Sequence, residues 1–155
     1  MEFCKPARIH EGSVLLRNCI RNNLWICQHK LDGMRAKLFA QDGKVYIQTK
    51  SGDPIKNYKP PTIPQGCCLD GEFYQGNYYA FDCLQFGGEW ITRRPLENRL
   101  SILDVVKVVM RVPEIGNKRT WKKQAEQAGS EGVVFKHLQK PYEFGTTTNW
   151  LKIRL

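Results

Sequence analysis

The chain has 155 residues, 41% of them hydrophobic, with a formal charge of +9 and a pI near 9.4. That length supports one compact domain with its own core. No N-terminal apolar h-region and no apolar run of bilayer-spanning length is present, which argues against secreted and membrane-spanning classes. The basic excess favours polyanions: nucleic acid, nucleotides or an anionic surface.

In chain order, MEFCKPARIHEG reads as an irregular lead-in. SVLLRNCIRNN places Val14, Leu15, Cys19 and Ile20 near helical spacing, with Ser13 as N-cap. LWICQHKL alternates and predicts a strand. MRAKLFA and KVYIQTK predict a hairpin closed by Gln41-Asp42-Gly43-Lys44. NYKPPTIP is a proline-rich connection, and CCLDGEFYQ with YYAFDCLQF forms a second hairpin around Gly76-Asn77. PLENRLSILDVVKVV predicts a helix opened by Pro95, with Leu96, Leu100 and Leu103 on one stripe. RTWKKQAEQAG predicts a short helix closed by Gly129, and EGVVFKHL and NWLKIRL are the last strands. The sum is an antiparallel-rich α+β domain.

The six cysteines, Cys4, Cys19, Cys27, Cys67, Cys68 and Cys83, form no CxxC pair, and the three histidines complete no zinc spacing. They read as reduced thiols packed as small apolar groups.

Several stretches can carry chemistry. In QHKLDGMR, Lys30 precedes a tight Asp32-Gly33 turn and Arg35 follows it. A lysine is a nucleophile only when neutral, and cations or burial favour that form. The alternative is a surface lysine beside an ordinary turn. Asp70 and Glu72 in LDGEFY share one strand face, suited to a ribose hydroxyl or a metal-bound water, or merely to solvent. Glu131 in SEGVVFK suits a divalent ion, or caps an edge strand. In WLKIRL, Lys152 and Arg154 share the face opposite Leu151, Ile153 and Leu155, as a phosphate site or as a basic amphipathic strand. Phe81 offers a ring for a base, although an aromatic inside a strand is ordinarily core.

These stretches together resemble the covalent nucleotidyltransferase superfamily, most closely ATP-dependent DNA ligases. KLDGMR looks like the nucleophile motif KxDGxR, and TKSG like the element after it, with Lys50 where arginine is usual. LDGEFY, FDCLQFGGEWITRRPLENRL, EGVVFK and YEFGTTTNWLKIR resemble the later motifs in order, and CKPARI echoes the KP-x-L lead-in. Gln28 stands where a glutamate is common, Thr146 where FG is often followed by arginine, and Arg154 where the second lysine of LK-x-K is usual.

The resemblance implies a nucleotidyltransferase (ATP-grasp-like) adenylation domain of antiparallel sheets with flanking helices. It implies ATP, a covalent AMP on Lys30, and Mg²⁺ or Mn²⁺. Gln28, Arg35, Lys50, Glu72, Phe81, Lys152 and Arg154 would bind the nucleotide: Glu72 at the ribose, Phe81 on adenine, Lys152 and Arg154 at the α-phosphate. Glu72 and Glu131 would serve the metal. AMP would pass to a 5′-phosphate at a nick in duplex DNA, for attack by a 3′-hydroxyl. The chain stops at Leu155, just after the last motif. The expectation is therefore a single adenylation domain over residues 1–155 without an OB-fold domain. It would be monomeric, off the membrane, cytoplasmic or acting in a host cell if viral, and dependent on a separate OB-fold domain or protein for full activity. The alternatives are a non-catalytic nucleic-acid or nucleotide-binding module, an RNA ligase, or a capping guanylyltransferase.

Overall fold

A computed structural model describes residues 2–56, 58–107 and 109–155. The elements in order are β1 (Cys4–Arg8), α1 (Val14–Arg21), β2 (Trp25–Lys30), β3 (Met34–Gln41), β4 (Lys44–Thr49), β5 (Cys68–Tyr74), β6 (Asn77–Phe86), β7 (Glu89–Trp90), α2 (Leu96–Leu103), β8 (Met110–Arg111), a 3-10 turn (Lys118–Thr120), α3 (Trp121–Gln127), β9 (Gly132–His137) and β10 (Gly145–Arg154). The expected α+β class is what the chain forms. It divides into two compact units, one running to Asp32 and resuming at Pro113–Leu155, the other spanning Gly33–Val112.

The first unit is built on a four-stranded sheet in the order β1-β10-β9-β2. β9 pairs antiparallel with both β10 and β2, while β1 joins β10 in parallel. Alternation divides the strands. Cys27, Val133, Phe135, Leu151 and Ile153 enter a core with Ile9, Leu16, Cys19, Trp121 and Ala125, which brings α1 and α3 onto that face. Ser13 caps α1 as expected, its Oγ accepting from the Leu16 N–H at 3.1 Å. The far end of α1 is held by Lys118, whose Nζ donates to the carbonyls of Cys19, Asn22 and Trp25 at 2.6, 2.7 and 2.8 Å.

Two expectations for this unit change. The lead-in is not wholly irregular, because Cys4–Arg8 forms β1. Its proline hid it: Pro6 has no N–H to give a ladder, and the β1–β10 register shifts directly after it. In α1 the buried residues are Leu16 and Cys19, whereas Val14 and Leu15 are 70% and 51% exposed. The buried stripe therefore starts at Leu16, two residues after Val14.

The second unit holds a six-stranded sheet in the order β4-β3-β5-β6-β7, with β8 pairing parallel to β6. The β3–β4 turn is Asp42-Gly43, as expected. The β5–β6 turn is Gln75-Gly76 rather than Gly76-Asn77, since Asn77 already pairs with Tyr74. Helix α2 buries Leu96, Leu100 and Leu103 as predicted but stops at Leu103, with Asp104 as its C-cap. The valine-rich tail read as its continuation leaves the helix, and Val108 lies outside the described residues. So does Asn57, at the start of the proline-rich connection.

Arg99 of α2 is fully buried and forks onto Asp82 of β6, Nε to Oδ1 at 2.8 Å and Nη2 to Oδ2 at 3.0 Å. Its Nη1 donates to the Arg94 carbonyl at 2.6 Å. This bidentate pair accounts for the aspartate of FDCL and the arginine of PLENR as one structural device.

Candidate active site

Strand registry decides which side chains of the first unit share a face. Lys30 pairs with Gly132, and Gly132 with Arg154. One step back, Gln28 pairs with Val134, Val134 with Lys152, and Lys152 with Arg8. These residues alternate with the core residues, so they form a single face turned away from the core. Gly132 leaves that face bare between Lys30 and Arg154. A Cβ there would collide with the carbonyl oxygen of Ile153, so the bare patch is enforced by close approach of β10.

Lys30 Nζ donates to Glu131 Oε1 in a direct salt bridge, with the two side chains 20% and 26% exposed. Backbone geometry supports it, since the Glu131 N–H donates to the Lys30 carbonyl at 3.1 Å. The preceding residues form a second cross-link, His29 Nδ1 to Ser130 Oγ at 2.7 Å. Burial holds the His29 imidazole below its ordinary 6.5, which favours the neutral ring.

Arg8, Lys152 and Arg154 make no ion pair among the described residues. Burial, followed by Lys30, Arg154 and Arg8, pushes the Lys152 ammonium below the ordinary lysine range, with Glu131 opposing. Gln28 is 2% exposed, and its Nε2 is buried without a hydrogen-bond partner. Unpaired cations and an orphaned buried donor on one face suit an anionic ligand with polar acceptors.

The second unit places Arg35, Glu72, Phe81 and Lys50 on its own sheet. Arg35 pairs in register with Glu72 and forks onto Asp70, Nε to Oδ1 at 3.2 Å and Nη2 to Oδ2 at 2.6 Å. Both oxygens of the fully buried Asp70 are thus engaged, and Glu72, half-buried, is the more open carboxylate of the pair. The Arg35 guanidinium lies 5.2 Å from the centroid of the half-buried Phe81 ring. Lys50 is exposed just beyond β4, its N–H donating to the Arg35 carbonyl at 2.9 Å. Gly33 serves packing: a Cβ there would strike the Phe73 carbonyl.

A metal fits this arrangement only in one style. No group of three or more His, Cys, Asp or Glu able to cage a cation occurs among the described residues. A magnesium-type ion needs only one or two carboxylates when substrate phosphates complete its shell. Glu131 is such a carboxylate on the first unit, and Glu72 is one on the sheet of the second.

Sequence reasoning missed Arg8, His29 and Ser130. Arg8 carried a faint signal, a cation between Ala7 and Ile9, which both pack on the core.

Comparison with known proteins agrees with the fold and with the family resemblance. The family model described as "ATP dependent DNA ligase domain" matches residues 70–154. The SPbeta prophage-derived DNA ligase-like protein LigB of Bacillus subtilis is 23% identical over 97% of this chain, which spans 67% of that protein. The ligase domain of LigD from M. tuberculosis superimposes with a TM-score of 0.73 at 18% identity, over 98% of this chain and 60% of that one. The ATP-dependent DNA ligase of bacteriophage T7, solved in complex with ATP, gives a TM-score of 0.64 at 14% identity, over 99% of this chain and 68% of that one. No helix among the described residues is long and apolar enough to cross a membrane. With the matching model covering more than half of its length, the chain belongs to the ATP-dependent DNA ligase family, as an adenylation domain of that type.

Proposed function

We propose that this chain, acting as one adenylation domain, binds ATP, forms a covalent AMP on Lys30 and passes it to the 5′-phosphate of nicked duplex DNA. The observation that carries this is the Lys30–Glu131 pair on a face whose other cations, Arg8, Lys152 and Arg154, make no ion pair among the described residues.

Lys30 attacks as the free amine, and its proton passes to the Glu131 carboxylate it touches. An N–P bond forms at the α-phosphate as the bond to the bridging oxygen breaks, and pyrophosphate leaves with that electron pair. Lys152 and Arg154 hold the developing negative charge on the phosphoryl oxygens. Gln28 gives its unused amide N–H to the nucleotide. Glu72 binds the ribose, and Phe81 stacks on the base. Arg35, held flat by Asp70, and Lys50 supply positive charge toward the ribose and phosphates. Glu131 and Glu72 would be the carboxylates that serve a divalent cation, Mg²⁺ or Mn²⁺, which would supply charge neutralisation.

The test is incubation with ATP labelled at the α-phosphate and Mg²⁺, followed by denaturing electrophoresis. Label is expected on the wild-type chain, absent from Lys30→Ala, and discharged by pyrophosphate. A folded wild type that binds nicked DNA yet never takes label would overturn the catalytic reading.

A further inference from the structure

We infer that Arg8 binds the departing pyrophosphate, the β- and γ-phosphates of the nucleotide, at the sheet edge opposite the attacking lysine. The inference rests on the adenylation chemistry proposed above and adds a residue that chemistry did not use.

Arg8 is fixed by its strand. Ala7 and Ile9 pack on the core, so Arg8 projects from the other face, exposed, in register with Lys152. The Ile9 N–H donates to the Lys152 carbonyl at 3.0 Å and locks that register. In the order β1-β10-β9-β2, Lys30 stands on one edge strand and Arg8 on the other. Three inter-strand steps, about 14 Å, separate the two strands, and Arg8 lies level with Gln28, two residues along from Lys30.

Direction then follows from chemistry. Phosphoryl displacement runs in line, with the leaving oxygen opposite the nucleophile. Lys30 attacks from β2, and Gly132 keeps the adjoining position on β9 free of a side chain. An α-phosphate over that gap has its leaving group directed toward β10 and β1, where Lys152, Arg154 and Arg8 sit. Pyrophosphate brings several negative charges. Three cations with no carboxylate partner among the described residues repel one another until such an anion arrives.

The experiment measures binding of AMP, pyrophosphate and an ATP analogue with a methylene bridge between the α- and β-phosphates, which cannot react. Arg8→Gln is expected to weaken the analogue and pyrophosphate about tenfold, the scale of one lost charge-assisted contact, and to leave AMP unchanged. Arg8→Glu should weaken them further and Arg8→Lys should retain most of the affinity. Thermal unfolding checks that each variant is folded. Equal loss of AMP and analogue, or no loss of either, would overturn the inference while leaving the adenylation reading intact. So would a loss confined to nicked duplex DNA, which would make Arg8 a contact to the DNA backbone. A wild type that binds none of the three ligands would overturn both.

Discussion

Ser130 Oγ lies 2.7 Å from His29 Nδ1, and the next residue along each segment, Glu131 and Lys30, closes a salt bridge. The two contacts form consecutive rungs between the end of β2 and the start of β9. The His29–Ser130 rung fixes the residue before Glu131 and so sets where Glu131 can sit.

Ser130→Ala should therefore slow labelling by ATP several-fold with Lys30 untouched. It should also cost about 0.5–1.5 kcal/mol of stability, the net worth of one hydrogen bond, since Ser130 is buried while His29 is half-buried and can turn to water. Ser130→Thr keeps the hydroxyl and should recover most of both. Rates of labelling and urea midpoints for the three proteins decide it. A Ser130→Ala protein that labels at the wild-type rate would remove the positioning role.

His29 also predicts a pH dependence. Burial lowers its folded pKa below the ordinary 6.5. The unfolded chain therefore takes up a proton near 6.5 while the folded chain does not, and stability is present above 6.5 and lost as pH falls from there toward the folded value. His137 adds the same sign, lowered by burial and then by Lys140. His29→Gln removes only its own share. Urea midpoints compared at about pH 8 and about pH 5 should fall less for His29→Gln than for wild type. Parallel curves would refute the assignment.

In the second unit, the buried Arg99–Asp82 fork predicts a large and asymmetric response. Asp82→Asn or Arg99→Met alone leaves the partner's charge buried and uncompensated, and should cost about 3–5 kcal/mol. The double variant Asp82→Asn/Arg99→Met removes both charges and should cost clearly less than the sum. A double-mutant cycle in chemical denaturation measures this, and simple additivity would show that the two side chains act independently.

What the sequence revealed and concealed divides along this same line of local against distant information. The alternation in WLKIRL places Lys152 and Arg154 opposite Leu151 and Ile153, and the structure does so. Ser13 and Asp42-Gly43 act through neighbours a few residues away, and both appear where read. Strand β1 was concealed because its stability comes from β10, at the other end of the chain, and because Pro6 argues against a strand. Arg8 was hidden with it. The burial of Arg99 left no trace in PLENRL, because Asp82, which makes that burial tolerable, lies on another element. Gly33 read only as half of a tight turn, and the close approach of the Phe73 carbonyl, which also requires a glycine there, comes from a distant strand.

Gln28 provides the sharpest separation of stability from binding. Its Nε2 is buried and unpaired, which costs the nucleotide-free protein about 1–3 kcal/mol. A ligand acceptor on that face would recover this. Gln28→Met removes the orphaned donor at similar volume, so it should raise the melting temperature of the free protein. The same change should weaken ATP, because the recovered hydrogen bond is lost, and it should shrink the stabilisation that ATP confers on melting. Thermal unfolding with and without ATP reads both effects. If Gln28→Met is less stable when free and binds ATP as wild type does, the amide is satisfied within the protein and does not read the nucleotide.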